Sequence, residues 1–227
     1  MVREPLVFAA DHVEEVLRGG EETVGKLLTR LVQSGLAMAV AGNSRPAGGC
    51  EHHASHFWDL LAAHGRRQHA SHGLQTGYAT GFAMRLQRHA FGGGVTALRQ
   101  PVAPADPLSA EARGWLGEPT DELRAAVDEK QSMLARVPSV WAGDDAAWRG
   151  VQTELAPSLA LFDDVRAGLD AAGIPTTPGY LEIDEETLRA TFHYASRLRA
   201  RYTTIDFLEG QGALALDDAI EMTINGR

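Results

Sequence analysis

The sequence predicts an all-helical bundle, and three observations carry that expectation. Apolar residues recur at i, i+3, i+4 and i+7 in segment after segment, which is the spacing of one helix face. Runs that alternate polar with apolar β-branched residues are absent. No Gly-x-Gly-x-x-Gly follows a strand-like run and no βαβ pattern appears, so the sequence offers no Rossmann-type nucleotide domain.

The elements follow in order. Pro5 to Leu17 reads as a short helix with Phe8, Val13, Val16 and Leu17 on its apolar side, stopped by Gly19-Gly20. Glu21 to about Val40 reads as a longer one, carrying Val24, Leu27, Leu28, Leu31, Val32 and Leu36. It becomes wholly apolar near its end, which predicts that it enters the centre of the domain. Gly42 to Gly49 is a polar, glycine-rich loop. A helix from Glu51 to about His64 follows, then a break over Gly65 to Ser71, then a helix from Gly73 to about Gln87.

Gly92 to Gly94 and Pro101 to Pro107 mark loops. Asp121 to Val137, Asp144 to Leu155 and Ser158 to Ala172 read as helices with breaks near Pro138 and Pro157. Gly173 to Pro178 is a loop. Asp184 to about Tyr202 is amphipathic through Leu188, Phe192, Ala195 and Leu198, and its acidic start suits a helix N-terminus. Thr203 to Leu208 continues that helix or restarts one. No solenoid-period repeat is present.

A chain of 227 residues, 44% hydrophobic and 22% charged, is long enough to bury a core. One helical domain over residues 1–227 is expected. The net charge of -9 argues against non-specific binding of nucleic acid. Cys50 is the single cysteine, so an internal disulfide is excluded and a reducing compartment fits. Met1 to Pro5 lacks a basic-then-apolar leader pattern, and the longest apolar stretch, Leu36 to Ala41, is too short to span a bilayer. These readings predict a cytoplasmic protein with no membrane or nucleic-acid partner.

The chemistry concentrates in Glu51-His52-His53-Ala54-Ser55-His56 and Ser71-His72-Gly73. His52 and His56, at i and i+4, share one helix face. Neutral imidazole is a common transition-metal ligand, yet two imidazoles do not complete a zinc site. His53 points to another side of the helix and reads as structural. Ser44 and Arg45, in the polar loop, are candidates to grip a phosphate with a planar donor fork and backbone N–H groups. Glu51 serves the helix N-terminus or the site. Cys50 reads as a buried, idle thiol and Trp58 as core.

These residues carry a resemblance. Ser34 to Gly49 (Ser-Gly-Leu-Ala-Met-Ala-Val-Ala-Gly-Asn-Ser-Arg-Pro-Ala-Gly-Gly) followed by Glu51 to His56 resembles the central motif of the glycerol-1-phosphate dehydrogenases. These belong to the superfamily of iron-containing alcohol dehydrogenases, glycerol dehydrogenases and dehydroquinate synthases. His72-Gly73-Leu74-Gln75-Thr76-Gly77-Tyr78-Ala79-Thr80 resembles the second metal-ligand segment of that family, and Arg199 to Leu208 its late helix. The order matches across most of the chain, less clearly over Arg88 to Ala172.

The resemblance implies the C-terminal helical metal-binding domain of such enzymes without the Rossmann-like N-terminal domain. It implies His52 and His72 as ligands of Zn2+ or another divalent transition metal, and His56 as the catalytic residue near the substrate. The family's third ligand, an Asp in a Gly-Asp-Leu-Leu-like context, has no counterpart here; Asp11 stands in other surroundings. The implied substrate is a small phosphorylated polyol such as dihydroxyacetone phosphate. NAD(P) would enter only with a separate Rossmann-like subunit. Three functions remain open: the metal- and substrate-binding half of a split oxidoreductase, a non-catalytic binding or scaffold descendant, and a synthase-like reaction on a sugar phosphate. A domain built to face a partner exposes apolar surface when alone, so an oligomer or complex is expected.

Overall fold

The computed structural model describes residues 3–44, 48–96, 98, 106–134, 143–211 and 213–225, and among them every regular element is helical. Twelve α-helices follow one another among the described residues: α1 (Arg3–Asp11), α2 (Val13–Arg18), α3 (Glu21–Ala41), α4 (Cys50–Ala63), α5 (His72–Phe91), α6 (Ala110–Leu116), α7 (Asp121–Leu134), α8 (Asp145–Leu159), α9 (Phe162–Ala171), α10 (Glu185–Tyr194), α11 (Thr204–Gly210) and α12 (Ala213–Asn225). The all-helical expectation holds.

The core forms where α4 and α5 meet. Phe57, Trp58 and Leu61 on α4 follow a one-turn spacing, as do Tyr78, Phe82 and Leu86 on α5, and all six are buried. Leu188 and Phe192 of α10, Ile205 and Leu208 of α11, and Ile220 of α12 close around them. Two polar side chains inside this core are paired across elements. The Trp58 indole N–H donates to Thr191 Oγ1 at 2.8 Å, and the Tyr78 hydroxyl donates to the Thr177 carbonyl at 2.8 Å. Gly81 lets the 174–178 loop lie against α5, because a Cβ there would stand 2.1 Å from Thr176 Cγ2.

The turn between α4 and α5 is pinned by side chains. Arg67 donates to the Gln75 amide oxygen at 3.1 Å and to the Leu181 carbonyl at 2.9 Å. Gln75 in turn donates to Asp59 Oδ1 at 2.6 Å. Ser71 caps α5 by accepting from the Leu74 N–H, which sets the residue at which α5 begins.

Several boundaries differ from the sequence reading. The helix expected over Pro5 to Leu17 is two, α1 and α2, parted at His12. Pro157 does not break α8, which runs through it to Leu159. The helix expected over Asp184 to Tyr202 stops at Tyr194 and gives way to a 3-10 turn over Ala195–Leu198. The physical reason is a buried ion pair. The Lys130 ammonium of α7 draws the Ser196 carbonyl to itself and also reaches Asp206 Oδ1 at 2.9 Å. Asp206 meanwhile accepts from the Thr203 N–H at 2.8 Å in the capping box that restarts the chain as α11. α6 and α12 were not anticipated. The expected boundaries at Val137 and Pro138 and most of the Pro101 to Pro107 loop lie outside the described residues.

The largest correction concerns α3, which does not enter the domain centre. Its buried positions are Thr23 and Ala37, whereas Leu28, Leu31, Val32, Leu36 and Val40 are each more than half exposed. α3 packs on α1 and α2, so its more apolar face is left outward. No helix among the described residues is long and apolar enough to cross a membrane.

Candidate metal and substrate cleft

The cleft is built where three segments converge. α3 ends at Gly42 in a left-handed conformation, which turns the chain into the polar loop. Ser44 and Gly48 present that loop to a cavity of about 330 Å³. α4 adds His52, His53 and His56 to its wall, and the extended segment before α11 adds Arg199 and Arg201. Met38 closes the edge from α3.

Gly48 stands at a close approach. A Cβ at this position would lie 2.7 Å from the Arg201 guanidinium and 3.4 Å from the His52 ring. Arg201 donates to the Gly48 carbonyl at 2.9 Å and to Ser44 Oγ at 2.8 Å, so it clamps the loop against the start of α11. Glu51 folds back on the head of α4, where it accepts from the Gly49 N–H at 2.7 Å and from His52 Nδ1 at 3.0 Å. Burial alone would raise its carboxyl; the hydrogen bonds from His52 and Gly49 outweigh that and hold it below its ordinary value.

The three motif histidines come together. The His52 and His72 ring centres lie 5.2 Å apart, and those of His56 and His72 lie 5.9 Å apart. His72 Nδ1 shares a 2.9 Å hydrogen bond with Ser55 Oγ. His52 and His72 therefore each commit Nδ1 to a neighbour and leave Nε2 for another partner. The donor set is incomplete nonetheless: among the described residues no group of three or more His, Cys, Asp or Glu is placed to hold a metal. Asp11, at the end of α1, does not line the cleft.

His56 is half-buried, and burial pushes its imidazole pKa below the ordinary value, assisted by the nearby Arg199 and His72. The shift favours the neutral imidazole, which has one ring nitrogen to accept and one to donate. Ser44 lines the cleft. Arg45 lies outside the described residues. His53, read from sequence as facing elsewhere, borders the cleft at 1% exposure with neither ring nitrogen hydrogen-bonded. Cys50 is buried, and burial raises its thiol far above the ordinary range, which disfavours the thiolate. Sequence reasoning missed Arg199 and Arg201, which stand about 150 positions from the loop they face.

Fold and site together define an all-helical domain whose cleft gathers imidazoles and guanidiniums. Its relatives are glycerol-1-phosphate dehydrogenases. The chain is 25% identical over 209 residues, 92% of its length, to glycerol-1-phosphate dehydrogenase [NAD(P)+] of Geobacillus stearothermophilus. It is 26% identical over 195 residues to that of Geobacillus thermodenitrificans, covering 86% of this chain. A shorter stretch of 67 residues is 48% identical to the Pyrococcus furiosus protein of the same name, 29% of this chain and 18% of that one. These matches are consistent with a C-terminal domain of that family. The chain spans less than half the length of these relatives, 44% and 40% of the two Geobacillus proteins. No protein-family model matches the chain, and no solved structure does.

Proposed function

We propose that this chain is the metal- and substrate-binding half of a glycerol-1-phosphate dehydrogenase-like oxidoreductase that acts on a polyol phosphate. The observation that carries the reading is the pairing of His52 and His72, each with Nδ1 engaged and Nε2 left over, beside a cleft of small-molecule size. His52 and His72 would hold a divalent metal such as zinc, whose contribution when bound is to polarise a substrate hydroxyl or carbonyl. The remaining ligand and the NAD(P) site would come from a nucleotide-binding Rossmann-like partner. His56, kept neutral, hydrogen-bonds the substrate hydroxyl and takes or returns its proton. Ser44 and the loop backbone orient the rest of the substrate.

The incomplete donor set favours a second reading, a non-catalytic binding or scaffold protein on the same fold. Metal content of the purified chain separates the two. The first reading expects near-stoichiometric zinc or another transition metal after loading, lost in both His52→Ala and His72→Ala. A chain that takes up no metal, alone or with the nucleotide-binding partner, supports the second.

A further inference from the structure

We propose that Arg199 and Arg201 form an anion-binding end of the cleft and hold the phosphate of the ligand, in the place that the sequence alone suggested for Arg45. The inference deepens the function proposed above and takes from it only the identity of the ligand as a polyol phosphate. The site itself rests on charge and geometry.

The chain carries 30 acidic against 21 basic residues, yet among the described residues no carboxylate lines this cleft. Its walls present two guanidiniums and three imidazoles instead. Such a local reversal of sign in an acidic protein focuses an anion into the cleft.

The two arginines divide the work. Arg201 is fixed by its bonds to Gly48 and Ser44, so its charge is already placed when a ligand arrives. Among the described residues Arg199 is held by a surface pair: it reaches Glu122 Oε1 at 3.2 Å, with side chains 52% and 82% exposed. An exposed pair of this kind is worth little, so exchanging it for a phosphate inside the cleft costs little. A guanidinium matches two phosphate oxygens with two parallel N–H groups. His53 supplies the remaining observation: it borders the cleft, and its ring donor has no partner in the protein.

The test uses the full chain, stripped of metal by a chelator, and reads binding by calorimetry or by chemical-shift perturbation. The probes are inorganic phosphate, glycerol 1-phosphate and glycerol. Both phosphates are expected to bind, with affinity falling as salt rises, and glycerol to bind far more weakly. Arg199→Met is expected to weaken both phosphates about tenfold or more without changing the thermal midpoint appreciably, because the side chain is exposed. Arg199→Lys should recover part of the loss, since the charge returns without the fork. Binding of phosphate that is unchanged in Arg199→Met overturns the proposal, as does glycerol binding as tightly as glycerol 1-phosphate. Zinc uptake without phosphate binding would sink this proposal and leave the metal reading intact. Arg199-dependent phosphate binding in a chain that never takes up zinc would do the reverse.

Discussion

Ser55 and His72 share a 2.9 Å hydrogen bond that joins the buried face of α4 to the exposed first residue of α5. Ser55 is fully buried, so its hydroxyl is fixed, and the His72 ring is held to it through Nδ1. Ser55→Ala removes that anchor while leaving a side chain of nearly the same size. Zinc affinity is expected to fall roughly 10- to 100-fold, the usual cost of losing a partner to a ligating histidine. Global stability should change by only about 1 kcal/mol. Competition with a chromogenic chelator reads the first quantity and urea unfolding the second. Equal zinc affinity in the variant and the parent would remove Ser55 from the site.

His53 predicts a pH dependence. Burial, followed by the nearby Lys130 and Arg201, lowers its pKa from 6.5 to about 3. The folded chain therefore keeps His53 neutral while the unfolded chain takes up a proton. The stability this contributes is present above pH 6.5 and is lost as pH falls from about 6.5 toward 3. At about 1.4 kcal/mol per unit, the full window amounts to a loss on the order of 3–5 kcal/mol. In His53→Leu, whose side chain removes two unpaired nitrogens, the slope between those pH values should flatten and stability at pH 7 should hold or rise. Equal slopes in the two proteins would contradict this account.

Lys130 and Asp206 form a buried ion pair with side chains 5% and 1% exposed. Lys130→Met leaves the Asp206 carboxylate and the Ser196 carbonyl without their cation. A cost of about 3–5 kcal/mol is expected, seen as a lower midpoint in urea. Replacing both members, Lys130→Met with Asp206→Asn, should recover part of that loss, because no lone charge then remains inside. A single variant as stable as the parent would show that the pair contributes nothing.

The exposed face of α3 predicts association. Leu28, Val32, Leu36 and Val40 lie four residues apart, so their side chains make one ridge, and each is more than half exposed. The parent chain is expected to self-associate or to join a partner as its concentration rises. Val32→Lys combined with Leu36→Glu should leave the unfolding free energy within about 0.5 kcal/mol of the parent, because neither residue is buried. Sedimentation velocity should show the variant monomeric where the parent is not. A parent that stays monomeric across the range would end this expectation.

How much of this was legible in the sequence depended on distance along the chain. α4 and α5 could be read because Phe57, Trp58 and Leu61, and Tyr78, Phe82 and Leu86, keep helical spacing, and their histidines sit in local motifs. α3 was read as a helix with nearly the right ends but assigned the wrong face. Periodicity shows that a face is apolar; only packing shows whether something covers it, and here Thr23 and Ala37 face the protein. The 3-10 turn over Ala195–Leu198 depends on Lys130, some 66 residues away, and no local pattern announces it. Arg199 and Arg201 were missed for the same reason, while the nearby Arg45 drew the phosphate role simply by adjacency.

The Arg201 clamp has a consequence for how ligands are felt. Its two bonds join residues 153 and 157 positions apart, so the wall of the cleft is shared between the first quarter of the chain and the last. A chain with only one of those regions folded has no cleft at all. Occupancy is thereby linked to the whole folding equilibrium, and a ligand at one hundred times its Kd should add about 2.7 kcal/mol to unfolding. Thermal melting can then serve as a screen for what this protein binds, without any assay of turnover.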